Sequence, residues 1–92
     1  MSGNDRRRLH RGRVTGPQGE PARDALVAVA RGTAPTPEIA IRTDGQGRFA
    51  VALPSGSFVL RADTPSGLHG QAEVEVGEAE LAEIHIRLGR LP

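Results

Sequence analysis

The chain has 92 residues, with 12 basic and 11 acidic side chains and a formal charge of +1, which is material for one hydrophobic core and not two. It contains no cysteine, tryptophan, tyrosine or lysine, so all twelve basic residues are arginine. These absences exclude disulfides and thiolate chemistry, Schiff-base chemistry and lysine crosslinks, and the aromatic platforms of sugar- and single-strand-binding surfaces, while near-neutral charge gives no general pull towards nucleic acid or membrane.

Period-two alternation broken by Gly and Pro at short intervals recurs along the chain, the pattern of an all-β sandwich. A first strand is expected over His10 to Thr15, with Gly12 and Val14 on one face, followed by turn chemistry from Gly16 to Pro21. Ala25 to Ala30 reads as a second strand with Ala25, Val27 and Val29 pointing inward. A Pro/Thr loop over Thr33 to Pro37 leads to a third, Ile39 to Thr43. After the tight turn Asp44-Gly45-Gln46-Gly47, Phe49, Val51 and Leu53 alternate; Pro54-Ser55-Gly56 then turns the chain into Phe58, Leu60 and Ala62. Gln71 to Val76 forms a further strand, and Ile84, Ile86 and Leu88 mark the closing one. Between them, residues 78–82 are rich in helix formers, and at most one short helical turn is expected there, since so short a helix is marginal without packing.

At the ends, residues 1–8 are expected to be a flexible arginine-rich arm, and 9–90 a single domain. The longest apolar run, Ala25 to Ala30, is shorter than the apolar segment of about 7–15 residues in a secretory signal and far too short to span a bilayer. The corresponding expectation is a cytoplasmic protein, unless the sequence is that of a mature exported domain.

Four stretches in order resemble the carboxypeptidase regulatory-like domain, a transthyretin-like (Ig-like) seven-stranded β-sandwich. They are Gly12-Arg13-Val14 with Gln18-Gly19-Glu20-Pro21, then Asp24 to Val29, then Thr43-Asp44-Gly45-Gln46-Gly47-Arg48-Phe49, and Leu53 to Phe58. The likeness covers residues 10–63, with the closing strands fitting in outline to Leu88. It implies a mostly non-catalytic module that packs against a neighbour or acts as a spacer in larger secreted or surface proteins. His10 departs from it, standing where the first strand of the family usually has an aliphatic residue.

The residues themselves agree. In the Thr-Asp-x-x-Gly turn, the Asp44 carboxylate is placed to accept bonds from nearby backbone N–H groups while glycine takes left-handed geometry. Phe49 and Phe58, the only aromatics, are expected to enter the core from opposite ends of a hairpin, each burying about 150–250 Å². The expected core is Val14, Val27, Val29, Phe49, Phe58, Leu60, Ile84 and Ile86.

Catalysis finds little support. Hydroxyisourate hydrolases of related fold use clustered histidines and arginine with a tyrosine-containing C-terminal tetrapeptide, whereas this chain ends Gly89-Arg90-Leu91-Pro92 and has no tyrosine. Intradiol dioxygenases, which share the fold, bind iron through tyrosines and histidines, and the missing tyrosine opposes that reading too. His10, His69 and His85 fall on separate segments, and Ser55, Ser57 and Ser66 sit in turns where a hydroxyl usually bonds backbone. No catalytic, cofactor or metal residues are therefore assigned.

Two features are candidates for binding. Arg6, Arg7, Arg8, Arg11 and Arg13 form a basic cluster, read either as a phosphate-binding arm or as solvated positions opposite glutamates of the last third, Glu73, Glu75, Glu78, Glu80 and Glu83, with the second reading preferred. Leu26, Ala28, Ala30, Ala40 and Val59 are out of phase with the core, together with Ala50 and Ala52, and small apolar residues on a sheet exterior suit an interface. The expected function is a non-catalytic module that docks on a protein partner or self-assembles. The alternatives are a carbohydrate-binding module, a small transthyretin-related hydrolase and weak nucleic-acid binding through the arm.

Overall fold

A computed structural model describes residues 8–34, 40–77 and 83–90. Among these residues the chain is all β, with seven strands: β1 (Arg8–Thr15), β2 (Leu26–Gly32), β3 (Ile41–Arg42), β4 (Arg48–Leu53), β5 (Gly56–Asp63), β6 (His69–Val76) and β7 (Ile84–Arg87). They form a three-stranded sheet ordered β4-β1-β7 and a four-stranded sheet ordered β3-β2-β5-β6. All pairs are antiparallel except β1 with β7, which run parallel. The residues 78–82 read as a helical turn, and Ile39 of the expected third strand, lie outside the described residues.

Inward positions from the two sheets make one core. Val14, Val27, Phe49, Phe58, Leu60, Ile84 and Ile86 are buried as expected, together with Leu53, Ala62, Val74 and Leu88. Val29 is the exception and is only partly buried against this cluster. Just after it the strand bulges: Val29 pairs with Leu60 and Arg31 with Val59, which leaves Ala30 without an opposite residue. Such an extra residue reverses the facing of the residues after it, so Gly32 comes to lie opposite Phe58.

Each phenylalanine lies over a glycine of the neighbouring strand. Phe49 is opposite Gly12 and Phe58 opposite Gly32, and a Cβ at either glycine would run into the ring across from it. An aromatic covering a strand glycine restores the side-chain contact that the glycine lacks.

Phe49 and Phe58 do not share a hairpin. Strand β4 pairs with β1 whereas β5 pairs with β2 and β6, so Pro54 and Ser55 carry the chain from one sheet to the other. Proline removes a ladder donor, and Gly56 follows at φ 145°, a backbone geometry open mainly to glycine.

The Thr43–Gly47 turn behaves as its chemistry suggested. Asp44 Oδ1 accepts from the backbone N–H groups of Gln46 at 2.8 Å and Arg48 at 2.9 Å, and Gly47 has φ 75°. Thr43, buried at this turn, also ties the segment before β2 to the segment after β3. Its Oγ1 accepts from Ala25 N–H at 2.9 Å and donates to Ala22 O at 2.7 Å.

Candidate functional site

The three histidines take up separate places. His10 points into the β4-β1-β7 side of the core, 8% exposed, with its Nε2 buried and unpartnered. His85 lies on the outer face of the same sheet, where its Nε2 shares a 2.8 Å hydrogen bond with Thr15 Oγ1. His69 sits at the start of β6 in the other sheet. Among the described residues no three His, Asp or Glu side chains converge as metal ligands would, and no helix is long and apolar enough to cross a membrane.

The basic cluster divides. Arg6 and Arg7 lie outside the described residues. Arg8, counted with the arm from sequence, begins β1 opposite Leu53 and donates from Nη2 to Gly77 O at 3.0 Å, linking the first strand to the end of β6. Of the glutamates expected opposite Arg11 and Arg13, Glu83 lines the same hollow as the two arginines, and Glu78 and Glu80 lie outside the described residues. Strand β1 lies between β4 and β7, so Arg11 faces Ala50, and Arg13 faces Arg48 on one side and His85 on the other. Glu73 and Glu75 belong to β6 in the opposite sheet.

The outer face of β4-β1-β7 is thus a cationic surface. Arg48, Arg13 and His85 form one row across its three strands, with Ala50–Arg11 and Ala52–Leu9 as the next rows along. Like charges placed directly opposite disfavour pairing, yet no hydrogen bond or ion pair holds the side chains of Arg11, Arg13 or Arg48 among the described residues. The Nε of Arg13 is buried and unpartnered. These residues surround an open hollow of about 470 Å³, with Asp44 and Glu83 also lining it. The bonds that Asp44 accepts from the backbone of Arg48 and then Gln46 hold its carboxyl below the usual aspartate value, with a smaller pull from the Arg48 charge. Arg87, further along β7, donates to Pro17 O at 2.9 Å.

Leu9 was not singled out from sequence and is the most exposed large apolar side chain described, at 63%. The signal that could have found it was its phase, since Leu9 alternates with the inward His10 and falls on the side of Arg11 and Arg13.

The outer face of β3-β2-β5-β6 holds the other candidates. Leu26 and Ala28 of β2 and Val59 of β5 do share it, but charge is interleaved with them. Leu26 stands between Arg42 and Asp63, Ala28 opposite Arg61, and Val59 between Arg31 and Glu73. Arg61 and Asp63 pair at 3.1 Å. Ala30 is the bulge residue, and Ala40 is exposed just before β3. Charged side chains are therefore interleaved with the apolar ones on this face.

A search of curated proteins found no match. The family model described as the carboxypeptidase regulatory-like domain matches residues 11–89. With that match over most of the chain and seven strands in two sheets, the chain belongs to the carboxypeptidase regulatory-like domain family, whose members are Ig-like β-sandwich modules and generally non-catalytic.

Proposed function

We propose that this domain is a non-catalytic docking module that holds a protein partner, or a second copy of itself, against an outer sheet face. One observation supports this above the others. The two sheets cover each other's inner faces, while the outer face of β4-β1-β7 keeps Arg11, Arg13 and Arg48 together without bonding partners among the described residues. Opposed like charges give the fold nothing, so their arrangement is best explained by a group they meet outside it. The sugar-binding alternative loses support because both aromatic rings are buried in the core, out of reach of a stacking ligand.

The test compares the wild type with two face variants, Arg11→Gln/Arg48→Gln and Leu26→Asp/Val59→Asp, after circular dichroism has shown each to be folded. Sedimentation reports self-association, and quantitative co-purification from the native source reports partners. The expected result is that one variant loses a saturable partner, or the self-associated mass, while the other keeps it. If both variants match the wild type in mass and in partners, the docking reading is wrong.

A further inference from the structure

We infer that the outer face of β4-β1-β7 takes an acidic polypeptide segment carrying an apolar side chain, supplied by a partner protein; this rests on the docking reading above. The charge on this face is arginine at three adjoining positions, Arg11, Arg13 and Arg48, around one hollow. Guanidinium groups present planar forks that match a carboxylate through two parallel bonds. The Arg13 Nε is already removed from water without a protein acceptor, and a buried donor left unpaired is costly. A carboxylate in the hollow would draw the Arg13 side chain outward and give its guanidinium the acceptor that it lacks inside the domain.

The neighbouring rows select among anions. Leu9 is 63% exposed with Ala52 opposite, one row beyond Arg11 and Ala50. An extended segment lying along β1 would meet arginines first and an apolar step next. A peptide alternating in character can use both, whereas a phosphodiester backbone has no use for the apolar end. Asp44 and Glu83 line the same hollow, which opposes a continuous run of phosphates and tolerates a segment with a few well-placed carboxylates.

The experiment is fluorescence anisotropy on the whole chain at low and moderate salt. The probe is a labelled peptide of glutamates around a central leucine; the controls are the same peptide with glutamine for glutamate and a duplex DNA of equal charge. The acidic peptide should bind, weaken with salt, and exceed both controls. Arg11→Gln/Arg48→Gln should weaken it about tenfold or more, the loss of charge-assisted bonds, and Leu9→Ser about threefold, the loss of one modest apolar contact. Both variants should keep the wild-type melting temperature or exceed it, and Leu26→Asp/Val59→Asp should bind the peptide as the wild type does.

DNA binding as tight as the peptide would overturn the inference in favour of phosphate recognition. A concentration-dependent mass abolished by Arg11→Gln/Arg48→Gln would overturn it in favour of a second copy. Absence of peptide binding at low salt would overturn it as well, yet the docking reading would stand if Leu26→Asp/Val59→Asp still altered the partners that co-purify.

Discussion

Gly12→Ala is the substitution through which the core is most directly questioned. A Cβ at this position would lie 2.5 Å from Cε1 of Phe49, nearer still to its Cζ, and 2.9 Å from the backbone carbonyl oxygen of Ile84. Carbon atoms in contact prefer about 3.5–4.0 Å, so the ring has to retreat by roughly an ångström into a core that is already filled. The Ile84 oxygen belongs to a strand paired with Gly12 itself and moves only with β7. Overpacking of this kind costs about 1–3 kcal/mol, and two obstacles, one of them backbone, put Gly12→Ala near the top of that range. Replacing a strand glycine recovers about 0.5–1 kcal/mol of backbone entropy, leaving a net loss of about 2 kcal/mol. In a domain of this size that lowers Tm by about 8–16 °C. Urea unfolding of Gly12→Ala, Phe49→Leu and the double variant measures the cause. If ring and Cβ collide, the double variant loses less than the sum of the singles by about 0.5–3 kcal/mol. Gly45→Ala, where a Cβ meets open space, serves as the control and should change little. Strictly additive losses, or a neutral Gly12→Ala, would refute the packing argument.

Three further outcomes are expected from the geometry. Arg48→Thr removes a like charge directly opposite Arg13 and should stabilise the fold by about 0.2–1 kcal/mol, read as a Tm increase at low salt that shrinks at high salt. Thr43→Val leaves Ala25 N–H and Ala22 O without their side-chain partner and should cost about 2 kcal/mol in urea unfolding, the loss expected when buried backbone groups are unpaired. The Asp44 carboxyl is held below its ordinary value by backbone N–H donors, so its contribution is complete above the unfolded aspartate pKa and disappears as pH falls through the lowered one. Wild type should therefore lose stability on acidification more steeply than Asp44→Asn over that acidic window, and identical acid profiles for the two proteins would contradict it.

Strands with strict alternation were legible in the sequence because each inward position is apolar and each turn has its own chemistry. Val27, Phe58, Leu60, Ile84 and Ile86 all face the core as their phase requires, and the Asp44 turn could be read down to its hydrogen bonds. The bulge at Ala30 was not legible, since an unpaired residue has no composition signal and shows only as a shift in register. Thr43 was read as the end of a strand, because a hydroxyl that binds residues far along the chain looks the same in sequence as one that points to water. The basic face escaped for a topological reason. Arg11, Arg13 and Arg48 are legible as outward arginines one by one, but only the order β4-β1-β7 places Arg13 between Arg48 and His85 and moves Glu73 and Glu75 to the other sheet.

Core and basic face are set by the same register. A slip of one residue between β1 and β4 would turn outward side chains into the core, burying Arg11 and Arg13 where Gly12 and Val14 now lie. The pairing that opposes this slip is Gly12 with Phe49, because the ring fits only over a residue without Cβ. On either side of that pair in the same ladder stand Arg11 with Ala50 and Arg13 with Arg48. The contact that anchors the β4-β1-β7 side of the sandwich therefore also brings Arg13 and Arg48 together against their mutual repulsion. A repulsion of up to about 1 kcal/mol is small beside the burial of a phenylalanine ring, worth about 1.5–3 kcal/mol, so packing prevails and the charges stay where the fold puts them. The opposite sheet shows the other arrangement, in which Arg61 and Asp63 pair and Leu26 is set between Arg42 and Asp63. Opposite charges there stand directly beside one another, whereas on the β4-β1-β7 face the directly opposed pair is Arg13 with Arg48, and the carboxylates Asp44 and Glu83 stand only at the edge of their hollow.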